Sequence, residues 1–300
     1  MKIGNRTIDI SNRGKTFFPE SGITKGDLID YYASVAEPFV RHSKNYGVTM
    51  QRFPDGIGSE GFYNKDAPKY FPDWIAHCRF PRRKGGAFDA PVIDSQASLV
   101  YLADQAMVTA HLYLSRIDDL EKPDKMIFDL DPPEGSNDHS LARKAALDLR
   151  ELLEGLDLTA WVKTTGSNGY HVVVPVIPGP DFDGVRDFAR AVSKVLVERS
   201  PDAYTLEQRK DKRGERVFLD TLRNSYGATA VAPYSVRAIE GAPVALPIEW
   251  SEIETGTEPR DWTIANTPSR LSEKGDPWEK MQLHARDLLK RRERLDSLLD

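Results

Sequence analysis

Between Lys125 and Leu222 the hydrophobic pattern switches repeatedly between two periods, and few folds accommodate the order in which it does so. "KMIFDLD" alternates Met126, Phe128 and Leu130 against Ile127, Asp129 and Asp131, the period of two that sends successive side chains to opposite faces of a strand. "SNDHSLARKAALDLRELLEG" changes to helical spacing through Leu141, Ala145, Leu149 and Leu152, with Gly155 as its stop. "TAWVKTT" and "YHVVVPVI" read as two strands joined by the turn-forming "GSNG". "DGVRDFARAVSKVLVER" is a second amphipathic helix, and "ERVFLDTL" a fourth strand. Strand, helix, strand, strand, helix, strand over about 125–222 predicts a ferredoxin-like (RRM-like) α+β sheet, backed by both helices on one face and open on the other.

The open face is where charge accumulates. Asp129 and Asp131 share a face of the first strand, and Asp220 ends the fourth. First and fourth strands are neighbours in such a sheet, so three carboxylates are expected to converge. Acids that close repel one another unless a cation neutralises them, and an all-oxygen set suits Mg²⁺ or Mn²⁺. Two such ions would activate a hydroxyl and stabilise departing oxygens in phosphoryl transfer. An Asp-x-Asp before Pro132 and Pro133 equally suits a strand that simply enters a turn. The hairpin "KTTGSNGYHVVV" offers hydroxyls, backbone N–H groups and His171 to phosphates, while its glycines are equally explained by turn geometry.

Composition narrows the class. The 300 residues, 40% apolar and 29% charged, suit one large domain or two intimate ones, and no run of about 18 apolar residues is present to span a bilayer. The N-terminus "MKIGNRTIDISNRGK" has no continuous apolar stretch of the secretory kind, so a cytoplasmic location and no membrane are expected. One cysteine, Cys78, excludes an internal disulfide and a cysteine-based zinc site. A net charge of −5 argues against bulk electrostatic coating of nucleic acid, yet "RFPRRK" (79–84), "RKDKRGER" (209–216) and "KRRER" (290–294) are strongly basic. Each run also reads as a solvated face. Thr24 with Asp27 three residues on has capping-box spacing and predicts one helix over about 24–41. No repeat or flexible linker marks a boundary, so the expectation is a single domain over 1–300: an N-terminal α/β part to about 120, packed against a core over about 121–240, and a C-terminal helical extension over about 241–300.

Together, "QRFPDGIGSEGFYNKDAP", "FDLDPPEG", "TTGSNGYHV" and "VFLDTLRNSYGATAVAPYSVR" closely resemble the polymerase domain of bacterial ligase D, in the archaeo-eukaryotic primase superfamily. The resemblance runs from about Ile10 to about Trp278. It implies a primase-like fold and a template-dependent polymerase of non-homologous end joining in a bacterium or archaeon. Such an enzyme fills gaps at broken DNA ends, prefers ribonucleotides over deoxynucleotides and uses two ions, with Mn²⁺ favoured.

Carried over residue by residue, the resemblance implies that Asp129, Asp131 and Asp220 are the catalytic metal ligands, with Asp220 also serving the primer 3′-hydroxyl. Arg52, Tyr63, Thr165, Ser167, Asn168, His171, Arg213 and Arg237 correspond to nucleotide-binding positions: Tyr63 to a base-stacking aromatic, Thr165 to a hydroxyl near the ribose, Arg213 and Arg237 to triphosphate contacts. Asn12, Lys15 and Lys25 correspond to a pocket for the 5′-phosphate across a gap. Arg82, Arg83, Lys84, Arg209 and Lys210 are read as mobile DNA-contact loops. A Ku-type protein and a DNA ligase are the implied partners.

Two departures stand out. Asn168 stands where many relatives carry lysine, and Arg223 where a polar amide is common. No K-x-D-G adenylation motif occurs, since "FPDG" lacks the lysine.

Two other classes compete. A haloacid-dehalogenase-type phosphatase also ends an apolar strand in Asp-x-Asp, but carries a threonine-like residue where Pro132 stands here. A non-catalytic module binding 5′-phosphorylated DNA ends is the third reading.

Overall fold

The computed structural model describes residues 1–299. The chain divides into two compact units, each assembled from three separate stretches: residues 1–118, 229–246 and 262–276 in the first, and 119–228, 247–261 and 277–300 in the second.

In the first unit, α1 (Lys25–Ser34) opens with the expected capping box. Thr24 Oγ1 accepts from the Asp27 N–H at 3.2 Å, and the Asp27 carboxylate accepts from the Thr24 N–H at 2.8 Å. The single helix expected over 24–41 is instead two, with α2 (Ala36–Ser43) following a break at Val35. Pro38 explains the break. It has no N–H to give to Ser34, and in a continuous helix its ring would strike the Ser34 carbonyl. After β1 (Val48–Arg52) and β2 (Phe62–Asn64) come α3 (Gln96–Asp104), opened by Ser95, and β3 (Met107–Tyr113). Residues 229–231, β3, β1 and β2 form one antiparallel sheet in that order. Its core contains Tyr32, Phe39, Met50, Leu99 and Val108, and the buried Tyr32 hydroxyl donates to the Val108 carbonyl at 2.6 Å.

The second unit follows the sequence pattern closely. It comprises β4 (Lys125–Asp131), α4 (Ser140–Gly155), β5 (Trp161–Thr164), β6 (Tyr170–Pro175), α5 (Phe182–Arg199), β7 (Tyr204–Thr205), β8 (Val217–Asp220) and β9 (Pro247–Ile248). The sheet order is β7-β8-β4-β6-β5-β9. The central four, β8-β4-β6-β5, are antiparallel throughout, as a ferredoxin-like sheet requires. The short edge strands β7 and β9 were not foreseen, since two-residue pairings leave no periodic signal. Helices α4 and α5 pack on the sheet, burying Phe128, Leu130, Leu149, Val172, Phe188 and Val192. Among the described residues, no helix is long and apolar enough to cross a membrane.

Candidate active site

The register of the second unit's sheet decides which side chains meet. Asp129 stands opposite Asp220, and Asp131 opposite Phe218. On its other side Asp129 faces His171, which in turn faces Lys163. Directly opposed residues on one face have Cβ atoms about 5 Å apart. One row therefore crosses four strands as Asp220, Asp129, His171 and Lys163, with Asp131 one pleat further along. The three acids expected to converge are set on adjacent strands by backbone pairing alone. Asn224 fixes the turn that follows Asp220: its Oδ1 accepts from the Ile127 N–H at 2.8 Å, and its Nδ2 donates to the carbonyls of Ile127 (2.7 Å) and Thr221 (2.9 Å). Asp220 itself accepts from the Leu222 N–H at 2.7 Å.

The environments of the three acids differ. Asp129 is 4% exposed. Burial opposes its ionisation, but His171 (Nε2 at 3.3 Å) and the Arg223 guanidinium (Nε at 3.0 Å) outweigh that and hold it well below the usual carboxylate range. For Asp131 burial comes first and the charges of Asp129 and Asp220 second, pushing its carboxyl up to about 7, with Arg213 and Arg223 opposing. Asp220 is also raised, chiefly by burial. Burial and the neighbouring Lys163 push His171 down to about 4. The ring is thus neutral at pH 7, and its Nε2 faces Asp129. Its Nδ1 is buried and has no hydrogen-bond partner among the described residues.

Among the described residues, no three His, Cys, Asp or Glu side chains form a ready-made metal cage. Asp129 gives one oxygen to Arg223 and Asp220 gives one to Leu222, so two of the acids are engaged locally. The donor set still fits a hard divalent cation. It is all oxygen, and Asp131, raised first by burial and then by two carboxylates, faces a repulsion that a cation would remove.

The hairpin joining β5 to β6 lies against the end of β4. Tyr170 pairs with Leu130, and a Cβ on Gly169 would sit 2.1 Å from the Leu130 carbonyl oxygen, so only glycine fits. Thr165 closes the turn: its Oγ1 accepts from the Gly169 N–H at 3.1 Å and donates to the Gly169 carbonyl at 2.9 Å. The hydroxyl expected near a ribose is thus also the hairpin's clasp. Ser167 and Asn168 form the tip, where the Arg260 guanidinium bonds both: Nε to the Ser167 carbonyl at 2.9 Å and Nη2 to Asn168 Oδ1 at 2.6 Å.

Arg213 lies 3.9 Å over the Phe218 ring and donates to the carbonyls of Glu207 and Gln208. Arg209 pairs with Asp211, and Lys210 with Glu134 at 2.8 Å. Within this run Lys210–Lys212 form a short 3₁₀ turn, and Arg213 and Arg216 bond backbone carbonyls of the same stretch.

The remaining expected residues belong to the first unit. Asn12, Lys15, Lys25 and Arg52 line one hollow with Ser11 and Asp104. Lys25 is buried and pairs with Asp104 at 2.7 Å, and its Nζ donates to Ser11 Oγ at 2.9 Å. Lys15 pairs with Asp55 at 2.6 Å. Arg52, expected at the nucleotide, donates to the Gln105 carbonyl, Asn64 and the Tyr70 hydroxyl along that same wall. Tyr63 is 60% exposed, and its ring makes a T-shaped contact with His111 at 5.7 Å. Arg237 follows a two-residue strand pairing of Val236 with Val244. Arg82 caps the His77–Pro81/Ala87–Pro91 hairpin, 5.2 Å over Phe88, and Arg83 and Lys84 continue its turn. The loop of this β-hairpin carries all three.

Sequence reasoning passed over Lys163, Asn224, Arg260, Asp104 and His111. Lys163 had left a signal: a lysine inside an apolar strand, in step with the charged face. Arg260 and Asp104 had none, because their partners lie roughly 80 to 90 positions away.

A family model described as the LigD primase-polymerase domain matches residues 24–278. The multifunctional non-homologous end joining protein LigD of Mycolicibacterium smegmatis is 32% identical over 271 residues, covering 90% of this chain and 35% of that protein. Its Pseudomonas aeruginosa namesake is 32% identical over 277 residues, 90% of this chain and 32% of that one. The Bacillus subtilis bifunctional LigD is 28% identical over 272 residues, with shares of 90% and 43%. The chain thus spans about a third to two fifths of the length of these relatives. The solved polymerase domain of Mycobacterium tuberculosis ligase D in complex with DNA superposes with a TM-score of 0.86 at 28% identity, over 93% of this chain and 99% of that one.

Proposed function

Since the chain belongs to the LigD primase-polymerase domain family, whose members are nucleotidyltransferases, we propose that it adds nucleotides, preferably ribonucleotides, to primer 3′-hydroxyls at gapped or broken DNA ends. Non-homologous end joining is the repair route named for its relatives, and the whole chain is read as one primase-polymerase domain of it. The observation carrying this reading is the pairing that sets Asp220 opposite Asp129, with Asp131 beside them.

Two divalent ions, Mn²⁺ in preference to Mg²⁺, held by Asp129, Asp131 and Asp220, would supply charge neutralisation and hydroxyl activation. In the reaction the 3′-oxygen bonds to the α-phosphorus while the bond from that phosphorus to the bridging oxygen breaks, releasing pyrophosphate. Asp220, its carboxyl raised, takes the 3′-hydroxyl proton, a role suited to a base whose affinity for protons exceeds that of a free aspartate. Asp129 stays ionised throughout. The hairpin tip and His171 face the triphosphate, together with Arg213 and Arg237, while Tyr63 stacks on a base. Asn12, Lys15 and Lys25 take the downstream 5′-phosphate, and Arg52 on the same wall adds a further cation. Arg82, Arg83, Lys84, Arg209 and Lys210 contact the DNA backbone, which makes affinity salt-dependent. A Ku-type end-binding protein and a DNA ligase are the partners this role calls for, and the cytoplasmic nucleoid its location.

A phosphatase is not favoured, because Pro132 occupies the position after the second aspartate and β4 lies between antiparallel neighbours. A gapped duplex with and without a 5′-phosphate, offered ribo- or deoxynucleotides with Mg²⁺ or Mn²⁺, tests the reading on one gel. Asp129→Ala with Asp131→Ala should abolish extension and leave end binding intact. Unchanged extension would refute the site, and binding without extension by the unaltered protein would favour the non-catalytic module.

A further inference from the structure

The hairpin beside the acidic trio contains no cation between Thr164 and Tyr170, yet a guanidinium reaches it from elsewhere in the same unit. We propose that Arg260 is a triphosphate-binding residue, held in place by a strap of residues 257–261 and presented to the nucleotide by Ser167 and Asn168. The inference rests on the polymerase reading for the identity of the ligand.

The strap is fixed at several points. The Tyr170 hydroxyl donates to the Thr257 carbonyl at 2.7 Å. The Glu258 carboxylate is gripped by Arg143 and His139, both from the start of α4. Asp261 closes the turn, accepting from the Glu258 N–H at 2.7 Å. Arg260 projects from this clamped turn to the hairpin tip, where Nε and Nη2 are both used.

Three features separate this arginine from an ordinary surface charge. Its partners are a carbonyl and an amide oxygen, and among the described residues no carboxylate pairs with it, so its charge is oriented but not neutralised. One guanidinium nitrogen, Nη1, keeps its hydrogens for another acceptor. Third, the tip is held by the β4–β6 ladder: with Tyr170 opposite Leu130 and Gly169 pressed on the Leu130 carbonyl, residues 167–168 lie alongside the end of β4, where Asp131 sits. The tip stands at the end of the ladder that both faces of the sheet share, and on this proposal phosphates gathered by ions on Asp129 and Asp131 pass it. A planar fork with a spare edge suits a phosphate oxygen. Asn168 thereby acts as a positioning residue, its carbonyl oxygen turning the guanidinium toward the site.

Calorimetric titration of ATP and AMP in the presence of Mn²⁺, without DNA, tests this apart from turnover. Arg260→Gln should weaken ATP about tenfold, the worth of one charge-assisted hydrogen bond, and leave AMP and gapped-duplex binding unchanged. The salt dependence of ATP binding should become shallower. Adding Asn168→Lys to Arg260→Gln should restore ATP to within about threefold. Unaltered ATP affinity, or an equal loss for ATP and AMP with a lower melting temperature, overturns the proposal. Primer extension run alongside keeps the two readings apart. If the unaltered protein binds ATP through Arg260 yet extends nothing, the polymerase reading fails alone. If it extends normally while Arg260→Gln binds ATP normally, only this inference falls.

Discussion

Asp131→Asn removes a carboxyl that burial, and after it the repulsion on which the metal-site argument stands, make costly to ionise. In the folded chain burial and the neighbouring carboxylates move this carboxyl from 3.8 to about 7. At pH 8 the unfolded chain ionises Asp131 freely, whereas the folded chain must ionise it against that field. Integrated over the interval, the penalty has an upper limit of about 4 kcal/mol. Relaxation around the charge and water reaching the site lower the penalty, so about 2 kcal/mol is expected, or roughly 3 °C in melting temperature for a chain of this size.

The sign follows from the direction of the shift. Below about pH 3 both states are protonated and there is no penalty. As pH rises toward 7 the unfolded state loses its proton first, and stability falls until the penalty is complete above 7. Asparagine cannot ionise, so the variant should melt higher than the unaltered protein at pH 8 in EDTA, with roughly a third of that advantage left at pH 5. Adding Mn²⁺ should reverse the order, because the unaltered protein gains a ligand that the variant lacks. Melting curves by differential scanning fluorimetry at the two pH values suffice. An equal difference at both would show that Asp131 ionises freely, which neither its burial nor its two acidic neighbours would allow.

Two further substitutions probe other supports. Gly169→Ala forces a methyl into the Leu130 carbonyl, which is backbone and cannot swing aside. About 3 kcal/mol of stability should be lost in urea titration, and wild-type unfolding would mean that the hairpin does not press on β4. Lys25→Ala strands the buried Asp104 carboxylate and should cost about 3 kcal/mol, most of it recovered when Asp104→Ala is added. Both forms should lose the preference for a 5′-phosphate at the gap, measured by competition between phosphorylated and unphosphorylated duplexes.

The second unit's sheet was open to reading because its information is local. Period-two and helical spacing in 125–222 specify the elements, and the ferredoxin-like order supplies the pairing of β4 with β8, hence the approach of Asp220 to Asp129. What stayed hidden depends on distant partners or on a local veto. Pro38 divides α1 from α2, although the apolar spacing around it continues. Arg223 was noticed only as an unusual residue; its pairing with Asp129, 94 positions earlier, follows from the turn that Asn224 locks. The resemblance pointed to Lys25 as a phosphate-pocket position, but nothing local announced its burial or its counter-charge on the distant Asp104. Arg260 reaches the hairpin tip across 92 positions, a separation over which apolar periodicity carries no information.

The interrupted path of the chain orders events at the ribosome. The first unit's strand at 229–231 pairs with β3, at residues 111–113. During synthesis the β3 edge therefore waits, unpaired, while more than a hundred intervening residues are translated, and an open edge of that kind invites association with other nascent chains. The four central strands of the acid-bearing sheet end at Asp220 and can pair before the first unit is finished. Shielding that waiting edge, by a chaperone or by rapid translation of the stretch that follows, is what a high yield of folded protein would depend on.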